Sequence, residues 1–224
     1  MFPSHVGLRK YIQYYNIVFP SNDTFTEQYT LIPNACGTLS LAFDGTDVNA
    51  ELWGASLNPV LLGMEPNGYR VLLLIQLSPF GLYQITRQSQ AEFGGKRLSL
   101  ADIDSELFHS LYQAFAISKT ATDLANACEK VLYRRMERHV VSDAVLLATT
   151  EIMESHGQLQ VSEVARQAGY SERQLNRLFL TQIGMNIKNY ARLTRFNYVL
   201  KHIQKSPCFF AELSQQAGYF DQAH

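Results

Sequence analysis

The stretch EVARQAGYSERQLNRLF, Glu163 to Phe179, places apolar residues at helical spacing on both sides of a single glycine, Gly169. The small residue Ala165 comes before the glycine, and a segment rich in arginine, asparagine and glutamine follows it. Glycine adopts the left-handed backbone of a tight turn without steric cost. The stretch therefore predicts two short helices joined by a tight turn.

The spacing around this glycine is that of a helix-turn-helix. Counted from Val161, the fourth, fifth, ninth, fifteenth and eighteenth positions carry the pattern: Val164, Ala165, Gly169, Leu175 and Leu178. The small residue lets the two helices cross, the glycine makes the turn, and the larger apolar residues share a core. Ser171 is predicted to cap the second helix.

Four polar side chains must project from the second helix if its leucines and Phe179 are buried. They are Arg173, Gln174, Asn176 and Arg177. Arginine pairs with guanine, and asparagine or glutamine with adenine, and such contacts lie in the first turns of a recognition helix. We expect these four residues to contact DNA bases. The alternative is an ordinary helical hairpin with a solvated polar face.

The charge distribution favours DNA binding over that alternative. Residues 158–205 carry eight Lys or Arg against two acidic residues, a net charge of +6. Residues 1–140 carry eleven basic against thirteen acidic residues, a net charge of −2. A basic segment joined to a mildly acidic body suggests that one part meets a polyanion and the other part has a different role.

The motif also recurs near the end of the chain, where FAELSQQAGYFDQA (210–223) aligns with VSEVARQAGYSERQ (161–174). Two such motifs in one chain can reach successive major-groove faces about 34 Å apart. The segment between them has an apolar stripe that predicts a connecting helix. We expect four residues to contact phosphates. They are Ser171, Lys188, Arg192 and Arg195.

At these residues the sequence resembles the AraC/XylS family of bacterial transcription regulators. The resemblance is carried by VSEVARQAGYSERQLNRLF, GMNIKNYARLTRFNYVL and AELSQQAGYFDQAH, and it covers residues 142–224. It implies two helix-turn-helix units joined by a long helix, with double-stranded DNA as the partner. It also puts Arg173, Asn176 and Arg177 on the base-contacting face of the first unit, and Asp221 and Gln222 at the start of the second recognition helix.

The last residues depart from the family pattern. In the family the second recognition helix continues beyond GYFDQAH, whereas this chain stops at His224. A helix of five residues is not stable by itself. We therefore expect the end of the chain to be frayed or held by packing, and the chain to bind DNA weakly.

The first part of the chain predicts a β-rich barrel or sandwich. Segments rich in β-branched and aromatic residues, separated by turn formers, lie at 11–19, 27–32, 38–43, 51–54 and 70–77. Helical patterns follow at 102–115, 121–136 and 144–156, the last capped by Ser142 or Asp143. The predicted fold class is an α+β cupin-like sensor domain with helices over residues 1–140, followed by an all-α DNA-binding domain over 141–224.

This front part resembles the divergent cupin-like sensor domains of the same family. The resemblance is carried by the segments LIPNACGTLSLAF and LLLIQLSPFGLY. The resemblance implies binding of a small-molecule effector or of a second copy of the chain, as a homodimer. Trp53, Glu65, Arg70 and Gln76 are the candidates for lining an effector pocket. Only one of the six histidines, His5, lies in the β-rich part, so we expect no metal, no cofactor and no catalytic residues.

The cysteines set the remaining expectations. Cys36, Cys128 and Cys208 have neither disulfide nor metal-ligand spacing, which predicts reduced thiols in a cytoplasmic protein. An alternative function is that of a DNA-repair alkyltransferase with this type of DNA-binding domain, and it would need Cys36 as nucleophile. No His or Lys lies near Cys36 in the sequence to lower its pKa, so we favour a structural role.

Two further expectations concern partners. The longest apolar run, Val71 to Ile75, is far too short to span a bilayer, so no membrane association is predicted. A third, non-enzymatic option is that the chain regulates longer relatives by forming mixed dimers with them.

Overall fold

The computed structural model describes residues 2–3, 6–138 and 140–205. The chain forms two compact units. The first comprises Met1–Val141 with Gln182–Gly184, and the second comprises Ser142–Thr181 with Met185–His224. The second copy of the helix-turn-helix motif, with Asp221 and Gln222, lies outside the described residues, as does Cys208.

The described part of the first unit contains eight strands. They are β1 (Phe2–Pro3), β2 (Ile12–Val18), β3 (Thr30–Leu31), β4 (Thr38–Phe43), β5 (Val48–Trp53), β6 (Val60–Leu61), β7 (Val71–Leu77) and β8 (Arg97–Ser99). Six of them form one sheet in the order β1-β2-β7-β4-β5-β8, while β3 pairs with β6, and all the pairings are antiparallel.

Side chains alternate between the two faces of this sheet, as the strand geometry requires. In β4, Leu39 and Leu41 are fully buried. These two side chains point to one face, and Thr38, Ser40 and Ala42 point to the other. The register places Thr38 opposite Gln76 on one side and opposite Trp53 on the other, so polar residues from three strands form a row on one face.

The described part of the first unit also contains four α-helices. They are α1 (Gly81–Thr86), α2 (Leu100–Ile103), α3 (Ser105–Ile117) and α4 (Ala121–Met136). The ring of Phe43, on the leucine face of β4, packs against Phe115 of α3 with ring centroids 5.5 Å apart. The helices therefore cover the apolar face of the sheet.

The buried side chain of Gln84, on α1, holds the end of α4. Its Nε2 donates to the carbonyl oxygens of Met136 (3.1 Å) and Arg138 (2.6 Å), and its Oε1 accepts from the backbone N–H of Val140 (3.2 Å). Carbonyl groups at a helix end lack partners within the helix. The buried amide of Gln84 thus provides hydrogen-bond partners for three backbone groups just before the second unit begins at Ser142.

The second unit is helical throughout its described part. Its helices are α5 (Asp143–Glu154), α6 (Val161–Gln167), α7 (Glu172–Ile183) and α8 (Ile187–Lys205). The Oγ of Ser142 accepts from the N–H of Val145 at 3.3 Å and so caps α5. Beyond α5, a Cβ on Gly157 would lie 2.2 Å from the carbonyl oxygen of Ala191, so this glycine allows close packing against α8.

The expected order of an antiparallel β-rich domain followed by a helical domain is confirmed. The bounds of the predicted segments at 38–43 and 121–136 agree with β4 and α4. The strand predicted at 27–32 is only two residues long, because the N–H of Tyr29 turns back to the carbonyl of Thr26. The helix predicted at 102–115 is split at Asp104, whose carboxylate accepts from the N–H of Leu107 and starts α3.

No helix in the described ranges has the length and apolar character needed to cross a membrane.

Candidate functional site

The turn between α6 and α7 is built by Gly169, which has φ of +74°. Its N–H donates to the carbonyl of Arg166 (3.1 Å), and the N–H of Tyr170 donates to the carbonyl of Ala165 (3.0 Å). This pair of hydrogen bonds is the Schellman motif, which ends a helix at a left-handed residue. A Cβ on Gly169 would meet no heavy atom within 4 Å, so the backbone conformation alone calls for glycine.

The predicted core of the helix-turn-helix is largely confirmed. Val164, Ala165 and Leu175 are buried, and Leu178 is half-buried. Phe179 is fully buried, and its ring packs edge-on against Tyr190 of α8 with the centroids 5.6 Å apart. These contacts fix α7 between α6 and α8 and leave its other side to solvent.

Ser171 caps α7, as predicted, and does so together with Gln174. The N–H of Gln174 donates to Ser171 Oγ (3.3 Å), while the N–H and Oγ of Ser171 both donate to Gln174 Oε1 (3.1 and 2.8 Å). This is a capping box, which the spacing Ser-x-x-Gln announces in the sequence. Our sequence analysis assigned Gln174 to base contacts and missed this structural role.

Asn176 also has a structural contact. Its Oδ1 accepts from the N–H of Ile187 at 3.1 Å, which ties the middle of α7 to the first residue of α8. An amide needs both its oxygen and its nitrogen to bind adenine bidentately. In this structure the oxygen is therefore already engaged.

Arg173 and Arg177 are both exposed and lie four residues apart on α7, so they share one face of the helix. Neither forms an ion pair or a side-chain hydrogen bond within the described residues. Arg166 on α6 differs, since its guanidinium binds the carboxylate of Glu163 at 2.6 Å. α7 thus presents two uncompensated guanidinium groups to solvent from its first two turns.

The basic residues of α8 have two different environments. Lys188 and Arg192 are exposed. Arg195 is half-buried and donates from a terminal nitrogen to the carbonyl of Gly157 at 2.6 Å. Its guanidinium therefore holds the segment after α5, whereas the other two side chains extend into solvent.

A cavity of about 270 Å³ lies in the first unit, against the polar face of the sheet. Trp53, Glu65 and Gln76 line it, and Arg70 does not. The guanidinium of Arg70 lies instead against Gly45, in the turn between β4 and β5, because Arg70 precedes β7 at the far end of the sheet. Arg97 of β8 lines the cavity, but its short strand was absent from the sequence analysis.

Arg97 organises the charged side of this cavity. Its Nε binds Glu51 Oε2 and a terminal nitrogen binds Glu65 Oε1, both at 2.5 Å. Hydrogen bonds to Glu65 and to Glu51 raise the pKa of Arg97, while partial burial opposes the rise. The guanidinium also lies 4.8 Å from the centre of the Trp53 ring. Trp53 in turn donates from Nε1 to Ser40 Oγ at 3.1 Å.

The opposite side of the cavity is formed by the segments that carry β3 and β6. Phe25, Tyr29, Leu62 and Pro66 line the cavity from this side. Asn67 joins the two segments: its Oδ1 accepts from the N–H of Phe25, and its Nδ2 donates to the carbonyl of Phe25, both at 2.9 Å. Backbone hydrogen bonds from Leu62 and Gly63 to the carbonyl of Tyr29 add to this connection.

Cys36 is unsuited to nucleophilic chemistry. It is half-buried, and its Sγ accepts a hydrogen bond from Gln13 Nε2 at 3.3 Å. Burial raises its pKa to about 12, with the hydrogen bond from Gln13 opposing the rise. The thiolate is the reactive form of cysteine. A thiol held protonated in this way offers no support for the alkyltransferase alternative. The described residues also hold no cluster of three or more His, Cys, Asp or Glu side chains arranged to bind a metal.

Known proteins with similarity to this chain include a bacterial transcriptional activator. No protein-family model matches the chain. The HTH-type transcriptional activator RhaR of Salmonella dublin is 28% identical over 138 residues, which cover 62% of this chain and 45% of the relative. The match agrees with the resemblance to the AraC/XylS family of transcription regulators that the motif around Gly169 carries.

Two solved structures of ToxT from Vibrio cholerae are also similar to this chain. Their TM-scores are 0.41 and 0.42 at 11% sequence identity, and the alignments cover 95% of this chain and 90% and 91% of the two ToxT chains. The chain spans a little under half the length of the RhaR protein that it matches.

Proposed function

We propose that this chain is a sequence-specific DNA-binding transcription regulator of the AraC/XylS type in which α7 reads bases in the major groove. The observation that carries the proposal is the pair of exposed guanidinium groups of Arg173 and Arg177 on a helix held by the Gly169 turn. A guanidinium pairs bidentately with guanine. The similarity to RhaR, a protein named as a transcriptional activator, supports the same function.

The two arginines are the main base readers in this proposal. Gln174 and Asn176 lie on the same helix, but their side-chain oxygens accept from Ser171 and from the N–H of Ile187. They fix the helix and contribute to base contacts through the N–H groups that remain. Lys188 and Arg192, at the start of α8, contact phosphates and set the register.

Two further parts of the proposal concern regions beyond α7. From its sequence resemblance to the first motif, we expect the second motif to supply another recognition helix that begins at Asp221 and Gln222. The cavity of the first unit binds a small-molecule effector, and its occupancy, or pairing with a second copy of the chain, changes the availability of the DNA-binding helices. The polar cluster that Arg97 forms with Glu51 and Glu65 on the cavity wall supports the effector site.

The proposal is tested by a salt titration of DNA binding. A pool of fluorescent duplexes of about 30 base pairs with randomised centres is enriched on the protein, and anisotropy then gives the affinity for the enriched sequence at about 50 to 300 mM salt. We compare the wild type with the double variant Arg173→Ala/Arg177→Ala. The matched control is Arg134→Ala/Arg138→Ala, which removes the same two charges from the first unit.

The expected result is an enriched sequence that the wild type binds in a salt-dependent manner. The double variant should lose about a hundredfold or more in affinity for it, since each base-reading arginine contributes about 1–3 kcal/mol. The control variant should bind like the wild type. Equal losses in both variants, or a pool that yields no preferred sequence, would overturn the role of α7.

A further inference from the structure

We infer that the cavity of the first unit selects a small organic cation with an apolar body. This inference rests on the effector part of the proposed function and names the chemical class of the ligand. It comes from the charges that line the cavity, from the hydrogen bonds that its polar groups already form, and from its aromatic side chains.

The charged residues of the cavity have an excess of negative charge. Among its lining residues, Glu51 and Glu65 carry negative charge and Arg97 carries positive charge, a net of −1. Both carboxylates already bind the single guanidinium. An anionic ligand would have to displace one of them and then lie next to it, which like charges in a partly enclosed site oppose.

Glu65 is the carboxylate that remains available. Glu51 engages both oxygens, since Oε2 binds Arg97 and Oε1 accepts from Asn49 Nδ2 at 3.3 Å. Glu65 binds Arg97 through Oε1, and its Oε2 has no partner within the described ranges. Its side chain is 44% exposed, at the start of the short 3-10 helix Glu65–Gly68. A cationic group in the cavity can therefore reach Glu65 without breaking an existing ion pair.

Three polar side chains on the floor of the cavity, Thr38, Ser40 and Gln76, are already engaged in hydrogen bonds. Thr38 Oγ1 donates to Gln76 Oε1 at 3.3 Å, and Gln76 Nε2 donates to the carbonyl of Gly37 at 3.2 Å. Ser40 Oγ accepts from Trp53. A hydroxyl-rich ligand that bound these three side chains would have to displace such bonds, which leaves polar groups unpaired.

The rest of the cavity wall favours an apolar body next to a positive charge. Five aromatic side chains line it: Tyr14, Phe25, Tyr29, Trp53 and Tyr69. Aromatic faces attract cations within about 6 Å of the ring centre, and Arg97 already lies over Trp53 in this way. The cavity volume of about 270 Å³ is just below the usual range of ligand pockets, roughly 300–1,000 Å³, so a small ligand fits.

The experiment uses Trp53, the only tryptophan of the chain, as an internal reporter. Its fluorescence is titrated in the full chain with three probes that have the same phenyl group: 2-phenylethylamine (cation), 2-phenylethanol (neutral) and phenylacetate (anion). The amine should change the emission in a saturable way at lower concentration than the other two.

In Glu65→Gln the affinity for the amine should fall about tenfold or more. Glu92→Gln, which removes an exposed carboxylate outside the cavity lining, is the matched control and should bind the amine like the wild type.

Each result of the fluorescence titrations tests a specific statement about the ligand of the cavity. Tighter binding of phenylacetate or 2-phenylethanol, equal losses in both glutamate variants, or no saturable response to any probe would overturn the cation preference. Binding of 2-phenylethanol alone would do so while leaving a ligand pocket in place. The DNA titration described above is independent of these measurements, so a failure of DNA binding and a failure of cation selection are distinguishable.

Discussion

The outer face of α7 and the cavity face of the sheet both carry arginines on elements whose opposite side is buried in the core. On α7, Arg173 and Arg177 have no charged partner within the described residues. In the cavity, Arg97 binds two carboxylates and stacks on an aromatic ring. The positive charge of arginine thus has no acidic partner on α7, whereas in the cavity one arginine has two acidic partners.

The difference indicates two kinds of ligand. An exposed guanidinium without a partner keeps its hydrogen-bond donors for an external anion, and the DNA backbone and base edges are the partners that suit a row of them. A guanidinium locked by two carboxylates is a structural element that shapes a site and leaves it with negative charge. The first arrangement is open to a polyanion, and the second is suited to a small cation.

The largest effect is expected from removing the support of α7. Phe179→Ala deletes a fully buried ring that packs against Tyr190, and such changes cost about 3–5 kcal/mol of folding free energy. Leu180→Ala, at a position 42% exposed, should change stability by no more than about 0.5 kcal/mol. Chemical denaturation followed by circular dichroism measures both. If both variants lose similarly small amounts of folding free energy, the position of α7 does not depend on the burial of Phe179. The exposure of Arg173 and Arg177 could then not be attributed to the packing of the opposite side of α7.

The next largest effect separates base reading from phosphate contact on the uncompensated face. Arg177→Ala should weaken binding to the enriched sequence by about 1–3 kcal/mol and relax base preference at one position. Lys188→Ala should weaken binding to all duplexes about equally. It should also reduce, by about one, the steepness with which log affinity falls against log salt concentration. Anisotropy on enriched and scrambled duplexes at several salt concentrations measures both. If Arg177→Ala lowers both affinities by the same factor, the arginine is a phosphate contact.

A smaller effect is expected at Asn176, which belongs to the same helix but is engaged internally. Asn176→Ala removes the acceptor for the N–H of Ile187 and should cost about 0.5–1.5 kcal/mol of stability. Thermal denaturation measures this loss. Base preference of the folded variant, read from the enriched pool, should change less than in Arg177→Ala. A variant that keeps wild-type stability but changes base preference as much as Arg177→Ala does would show that Asn176 is mainly a base reader and that its contact with Ile187 does not stabilise the fold.

The smallest effect is expected at the compensated arginine. Arg97→Met breaks both ion pairs, but the Arg97 side chain is 33% exposed, and pairs of this kind contribute about 0–1 kcal/mol. Urea denaturation at low and high salt should show a loss within that range that shrinks as salt rises. A much larger loss, insensitive to salt, would mean that Arg97 stabilises the fold mainly by packing on Trp53.

The helix-turn-helix was predictable because its requirements are local. Gly169, Ala165 and Leu175 occupy fixed intervals, and the backbone and core contacts follow from those intervals. Even the capping box of Ser171 and Gln174 was visible as Ser-x-x-Gln, although the sequence analysis assigned Gln174 to another role. The contact of Asn176 with Ile187 joins two helices across a turn, and no short motif announces it.

The cavity shows where local patterns stop being informative. The sequence named Trp53, Glu65 and Gln76, which line it, but also Arg70, which does not. Arg97 is on a three-residue strand whose position beside β5 depends on sheet pairing between distant segments. Nothing in the residues around Arg97 indicates that Glu51 and Glu65 will meet it.

By itself, the sequence determined the class of each domain, the α6–α7 motif and the basic face of α7, because helical period, turn chemistry and local charge act over a few residues. The tertiary structure decided which charges are paired. Arg97 is compensated and Arg173 is exposed because strand register and helix packing, which act between residues far apart in the chain, set the neighbours of each guanidinium.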